Sequence, residues 1–468
     1  MERLSGLDAS FLYLETPSQL LHVCGLIIVD GSTIEGGYSF DKIKEELSSR
    51  VTAMPGFRRK LQDSLLNLDH PVWVDADDFD IDHHFHRVAV PDPGGKKELA
   101  ELCAHIAGQP LNRTRPLWEM WVIEGLADGH VAVMSKMHHA TVDGITGANM
   151  MSQLCSLTPE TPPLDPDLVS QRTGGADIVS LAASGIKTFV GRPMRLFQII
   201  PGTVSVVPRW ISRARAGRAM PVPFSAPRTS FNGTITGHRT IAYTQVTLDD
   251  VKKVKKAFDV KVNDVVLAMV SGALRKYLAG NDELPESPLI GMVPVSVHGK
   301  SDRPGTNQVT GMFTDLATNI EDPAERIEYI AEHSDIAKEH KDAISASLMQ
   351  DWAQFAAPNT FAVAMRAYAS LRLAERHPVV HNLVISNVPG PPVPLYFLGA
   401  RIDGMYPLGP VFHGAGLNVT VMSLDGSLNI GLIACRELSP DLWDLAEDMS
   451  ESLQDLLDAA DARTAASN

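Results

Sequence analysis

WEMWVIEGLADGHVAVMSKMHHATVDG, residues 118–144, alternates apolar and polar side chains on either side of a turn at Ala127, Asp128 and Gly129. A two-residue period sends successive side chains to opposite faces of a strand, so the stretch predicts a β-hairpin. Its second strand carries His138 and His139 to its end, and Asp143 and Gly144 follow after Ala140, Thr141 and Val142.

This constellation reads as a metal site, as core, or as a base. Zinc sites on helices place histidines one turn apart, whereas neighbours at a strand end point to opposite faces, so His138 and His139 do not share a metal. The same geometry suits a base: one ring reaches a cleft while the other is tucked into the fold. A turn brings Asp143 back beside them or leaves it as a helix cap, and Gly144 permits a tight bend before ITGANMMSQLC. A second cluster, DIDHHFHR at residues 80–87, puts His84 and His86 on one strand face, but no cysteine or glutamate completes it. A polar strand surface is the expectation there, and no metal or other cofactor is expected anywhere.

Outward from the hairpin, HVCGLIIVDG predicts a strand, SFDKIKEELSSRV a helix opening at Ser39, and KKELAELCAHIAGQ another helix. In the second half Thr247 begins a helix as a capping box with Asp250. Asn263 begins a helix ending at Gly280, with Asn263 itself either a cap or a site contact. Asp322 and Pro323 open a further helix, and Ser439 with Pro440 starts the last one. GLNVTVMSLDGSLNIGLIACRE repeats the strand, Asp-Gly turn, strand pattern. Mixed strands and helices in both halves predict an α/β protein of two domains, 1–157 and 236–468, joined by a crossover linker, 158–235.

At 468 residues the chain exceeds one ordinary core. Charged residues at 21% and hydrophobic ones at 44% fit a globular protein. The net charge of −15 (41 basic against 56 acidic) excludes nucleic acid as the main partner, because phosphate binding needs a positive field. Cys24, Cys103, Cys155 and Cys435 lack CxxC spacing and fit a reducing compartment. The acidic start lacks signal-peptide character and no long apolar run suggests a spanning helix, so a cytoplasmic protein, at most peripheral to a membrane or lipid droplet, is expected.

The linker is unusual. From residue 178 to 248 there is no Asp or Glu, while Lys187, Arg192, Arg195, Arg209, Arg213, Arg215, Arg218, Arg228 and Arg239 are interleaved with apolar residues. Docking on anionic lipid, attraction of an anionic substrate, and plain pairing with acidic patches of the fold are the three readings.

The sequence resembles the bacterial wax ester synthase/diacylglycerol acyltransferases, relatives of other CoA-dependent acyltransferases with HHxxxDG or HxxxDG. The resemblance is carried by LSGLDASFLYLETPSQLLHV, PLWE, MHHATVDG, NDVVLA, GTNQ, SNVPGPP and YPLGPVFHGAGLNVTV, in order along nearly the whole chain. It implies two chloramphenicol-acetyltransferase-like domains with a tunnel at their interface. It also implies acyl-CoA as donor and diacylglycerol or a long-chain alcohol as acceptor. His139 would be the general base, His138 a support for loop geometry or substrate, and Asp143 an orienting group beside Gly144. Asn263, Ser386 and Asn387 would be substrate contacts.

The chemistry fits those parts. An alcohol attacks a thioester only with a positioned base, and a histidine of pKa near ~6.5 leaves its neutral form abundant at neutral pH. Without a nucleophile elbow in the sequence, direct transfer in a ternary complex is expected. A peptide-synthetase condensation domain shares HHxxxDG and similar length, but PLWE and NVPGP argue against it. A lipid-binding or droplet-coating protein with a vestigial site is the non-enzymatic alternative.

Overall fold

The computed structural model describes residues 2–63, 69–141, 154–160, 220–222, 224–296, 309–343 and 358–467. In chain order its first half holds β1 (Glu2–Arg3), α1 (Gly6–Leu14), β2 (His22–Asp30), α2 (Phe40–Ala53), β3 (Arg59–Gln62), β4 (Val72–Asp75), β5 (Phe85–Ala89), α3 (Lys96–Ala107), β6 (Trp118–Glu124), β7 (Val131–His138) and β8 (Cys155–Ser156). The second half holds β9 (Arg239–Thr247), α4 (Leu248–Phe258), α5 (Val262–Gly280), β10 (Ile290–Ser296), β11 (Val309–Asp315), α6 (Pro323–Ala343), α7 (Pro358–Ser370), β12 (Leu383–Val388), β13 (Tyr396–Phe397), β14 (Ala400–Leu408), β15 (Leu417–Leu424), β16 (Ser427–Cys435) and α8 (Leu442–Ser467).

The protein is α/β, built on two mixed sheets. The first has the order β5-β6-β7-β2-β14-β13-β8 and the second β11-β10-β12-β15-β16-β9, with a small sheet β1-β4-β3 beside them. The predicted hairpin is β6 and β7, antiparallel, with Gly129 donating its N–H to Leu126 O across the turn. The second hairpin closes at Asp425 and Gly426, both at positive φ (44° and 78°), the two-residue turn whose twist matches that of its strands. β13 and β14 come from residues after 395 yet pair in the first sheet, β14 directly against β2. That crossover stitches the two halves of the chain together.

Core formation follows the patterns of the helices. α2 buries Ile43, Leu47 and Val51 against one face of the first sheet, among Ile27, Val29, Val122 and Val133. α3 buries Leu99, Cys103 and Ala107 on the other face, where Ile241 and Tyr243 of β9 and Ile433 of β16 join the same cluster. Burying one such Leu side chain contributes about 1.5–3 kcal/mol. α5 is apolar nearly all round and packs in one core with α4, α6, α8 and the second sheet. Gly272 lets α5 and α8 approach, since a Cβ there would stand 2.1 Å from Ser452 Oγ.

Several boundaries differ from expectation. Lys261, not Asn263, is the N-cap of α5, and Asp264 reaches back to accept the Lys261 N–H at 2.9 Å. Asn263 therefore lies inside the first turn, with its side chain free for another use. The last helix starts at Leu442, because the chain turns once more after Ser439 and Pro440. Asp322 caps α6 as expected, accepting from the N–H groups of Ala324 and Glu325.

Candidate active site

β7 ends at His138, and the chain turns at once into a short 3-10 helix, His139–Thr141. Four hydrogen bonds fix this corner. The His138 N–H reaches Leu117 O at 3.0 Å and the His139 N–H reaches Leu21 O at 2.8 Å. The Ala140 N–H donates to His138 Nδ1 at 3.0 Å, and Thr141 Oγ1 donates to His138 O at 2.7 Å.

The two histidines have opposite surroundings. His138 is 1% exposed, while His139 keeps partial exposure. Because His138 Nδ1 accepts the Ala140 N–H, the ring proton is assigned to Nε2. That atom stands 3.2 Å from Glu15 Oε1, close but off the line of a well-aligned hydrogen bond. His22 sits across the β2–β7 register from His138, with Nε2 3.7 Å from the same carboxylate oxygen. Glu15 also accepts the Leu21 N–H at 3.1 Å and pairs through its other oxygen with Arg113. Burial raises the Glu15 carboxyl, but its contacts with His138 and Arg113 outweigh that and hold it at about 2. Burial pushes His22 down to about 3, against the pull of Glu15.

The His139 ring stacks on Phe11, with centroids 3.9 Å apart and planes 19° apart. Its Nδ1 is buried without a well-aligned partner, and its own backbone carbonyl is the acceptor it meets. Burial pushes this imidazole down to about 4, opposed by that carbonyl and reinforced by His138. His139 is thus neutral at pH 7. Asp143 and Gly144 lie outside the described residues, as does GTNQ at 305–308.

Of the other predicted site residues, two are brought together. Asn387 on β12 donates its Nδ2 to Asn263 Oδ1 at 3.4 Å, joining the second sheet to the first turn of α5. Ser386 precedes Asn387 and so projects to the opposite face of β12. Among the described residues, no hydrogen bond or ring contact links these three to His139.

In DIDHHFHR, His84 departs from the surface reading, while Asp82, His83 and Arg87 are exposed. Asp80 caps the short 3-10 helix Ile81–His83, and His84 is buried, with Nδ1 2.8 Å from Trp118 O and its ring stacked on Trp118. The half-buried His86 packs at a tilt against Trp121, with centroids 4.3 Å apart and planes 38° apart, so each ring has an aromatic neighbour. In the acid-free basic stretch, Arg228 donates to the carbonyls of Asn232, Ala374 and His377, and Arg239, at the start of β9, to those of Thr236, His238 and Ser18. These two arginines brace loops. The other seven basic residues of that stretch lie outside the described residues.

Sequence reasoning missed Phe11, Glu15, His22 and Arg113. The available signal was a lone acid directly after the apolar helix GLDASFLYL, four residues beyond Phe11. Nothing local told that this helix end would fold back on the hairpin.

The starter condensation domain of rhizomide synthetase matches with a TM-score of 0.54 at 14% identity, covering 98% of this chain and 94% of that one, which establishes the fold. The wax ester synthase/diacylglycerol acyltransferase from Marinobacter aquaeolei VT8 matches with a TM-score of 0.70 at 29% identity over 98% of this chain and all of that one. The sequence matches "Wax ester synthase/diacylglycerol acyltransferase catalytic domain" over residues 4–266 and "WS/DGAT C-terminal domain" over residues 305–457. The chain belongs to the wax ester synthase/diacylglycerol acyltransferase family. It is 53% identical, over its full length and 92% of the relative's, to a Mycobacterium tuberculosis protein named "Putative diacyglycerol O-acyltransferase Rv1760". It is accordingly an acyltransferase of triacylglycerol and wax ester synthesis, drawing on acyl-CoA and a diacylglycerol or alcohol acceptor.

Proposed function

We propose that the protein transfers a long-chain acyl group from acyl-CoA to the free hydroxyl of diacylglycerol, with long-chain alcohols as secondary acceptors and His139 as the general base. The observation that carries this reading is the contrast at the strand end: a neutral, partly exposed His139 beside a sealed His138.

With Nδ1 carrying its proton toward the His139 carbonyl, Nε2 is the lone-pair nitrogen. It takes the hydroxyl proton as the oxygen attacks the thioester carbon. The tetrahedral intermediate then collapses, the carbon–sulfur bond breaks, and the imidazolium returns the proton to the departing CoA thiolate. Such acid–base assistance typically contributes about 10²–10⁴ in rate. A base held at about 4 takes the proton uphill, but its imidazolium is a correspondingly strong acid toward the thiolate. Transfer to an alcohol rather than water needs a water-poor passage, which a tunnel between the two sheets would supply. Asp143 would orient the corner, Gly144 would permit its bend, and Asn263, Ser386 and Asn387 would line the passage from the second half.

None of the helices among the described residues is long and apolar enough to cross a membrane. The acceptor would be met at a membrane or droplet surface by peripheral contact, with the enzyme on the cytoplasmic side. Radiolabelled palmitoyl-CoA supplied with diacylglycerol, hexadecanol or buffer tests the reading. Labelled triacylglycerol with diacylglycerol supports it. No neutral lipid with any acceptor would instead support a non-catalytic lipid-binding role.

A further inference from the structure

The end of α1 meets both histidines at once. Phe11 and Glu15 are four residues apart, so they project from the same side of this helix and its C-cap. Phe11 lies flat on the His139 ring at 3.9 Å, and Glu15 faces the proton-bearing nitrogen of His138 at 3.2 Å. The Leu21 backbone completes the link: its N–H is held by Glu15 Oε1, and its carbonyl accepts the His139 N–H.

Resting on the assignment of His139 as base, we infer that Glu15 and Phe11 are the positioning residues of the histidine pair. Glu15 fixes the His138 tautomer, which leaves Nδ1 free to accept the Ala140 N–H and so sets the 3-10 corner that presents His139. Phe11 holds the presented ring in one rotamer and keeps water from one of its faces. Neither residue touches substrate in this scheme, so neither determines how acyl-CoA binds.

The carboxylate itself is over-determined, as a positioning group should be. Arg113 holds its second oxygen and also donates to Leu12 O at 2.9 Å, tying the carboxylate to the last turn of α1. Gln19 donates to Leu14 O at 2.8 Å and accepts the His413 N–H at 2.8 Å, so the second half of the chain braces the same helix end. Outer groups that orient the histidines of metal sites typically contribute about 10–100-fold to activity, and that is the scale expected for a carboxylate that acts on the base through His138.

The experiment is steady-state kinetics with palmitoyl-CoA and diacylglycerol on the full chain. Variants are Glu15→Ala, Glu15→Gln, Phe11→Ala, Phe11→Tyr and His139→Ala, each checked by thermal melting. Glu15→Ala and Phe11→Ala are expected to lower kcat by about 10–100-fold with KM for palmitoyl-CoA within about two-fold of wild type. Glu15→Gln keeps an oxygen for the Leu21 and His138 donors, and Phe11→Tyr keeps the ring, so both are expected to restore most of kcat. Wild-type kcat in folded Glu15→Ala and Phe11→Ala, with His139→Ala inactive, overturns this inference alone. Wild-type kcat in His139→Ala overturns the base assignment and this inference together. Should Glu15→Ala fail to fold, the Glu15→Gln and Phe11 variants decide: kcat unchanged in Phe11→Ala overturns the inference, and a kcat loss reversed by Phe11→Tyr sustains it.

Discussion

Glu119 and Lys136 are direct register partners on β6 and β7, with Lys136 Nζ 2.8 Å from Glu119 Oε2. The Lys136 side chain is 1% exposed and that of Glu119 is 19%, and the ammonium also donates to Ile106 O and Gln109 O. A buried ammonium stripped of its carboxylate loses most of its compensation. Glu119→Ala is therefore expected to destabilise by about 3 kcal/mol, the low end for a broken buried pair because water reaches part of Glu119. Glu119→Leu combined with Lys136→Met removes both charges and should recover most of the loss. Urea denaturation of the two proteins checks this, and equal midpoints would contradict it.

The crossing of α5 over α8 gives a second prediction. Any side chain at residue 272 meets Ser452 Oγ and Arg326 Nη2 inside 3 Å. Gly272→Val is expected to overpack the crossing and to cost about 1–3 kcal/mol. The melting temperature should fall, while activity per folded molecule at low temperature should not. A melting temperature equal to wild type would show that the helices part freely.

Much of the fold was legible in local pattern, and much of the site was not. The hairpin ending in His138 and His139 follows from two-residue alternation, and the caps at Ser39, Thr247 and Asp322 from side-chain oxygens at helix starts. Lys261 was hidden because its cap is made by Asp264 reaching backwards, not by a side chain at the cap position. His84 was misread because local alternation says nothing of Trp118, which covers it from a strand more than 30 residues away. Glu15 and Phe11 escaped for the same reason. Their partners are more than 120 residues on, and only the pairing of β2 with β7 brings them near. The insertion of β14 beside β2 is likewise a long-range pairing that no local signal carries.

Acid should weaken the fold through the histidines it holds neutral. Burial pushes His22 down to about 3 and His139, His381 and His413 to about 4. In the unfolded chain these rings take up protons below about 6.5, which the folded state refuses until far lower pH. Their contribution is fully present above about 6.5 and is lost as pH falls through the folded values. The urea midpoint is expected to drop between pH 7 and pH 5. A midpoint constant over that interval would contradict the neutral state of these rings.

The same value governs the rate. If His139 acts as a neutral base, kcat/KM should be flat from neutral pH down to about 5 and fall as pH approaches about 4, where the ring takes a proton. Palmitoyl-CoA turnover in overlapping buffers, confined to the interval where melting shows the fold intact, measures this. An acid limb centred near the ordinary histidine value of about 6.5 would mean that a more hydrated group controls the reaction.

The most direct measurement is single-turnover transfer of labelled palmitate from palmitoyl-CoA to diacylglycerol by folded His139→Ala and His138→Ala proteins. The account predicts a loss of about 10²–10⁴-fold for His139→Ala and a smaller one for His138→Ala, whose ring shapes the corner without meeting the hydroxyl. Equal losses in the two variants, or near wild-type transfer by His139→Ala, would contradict it.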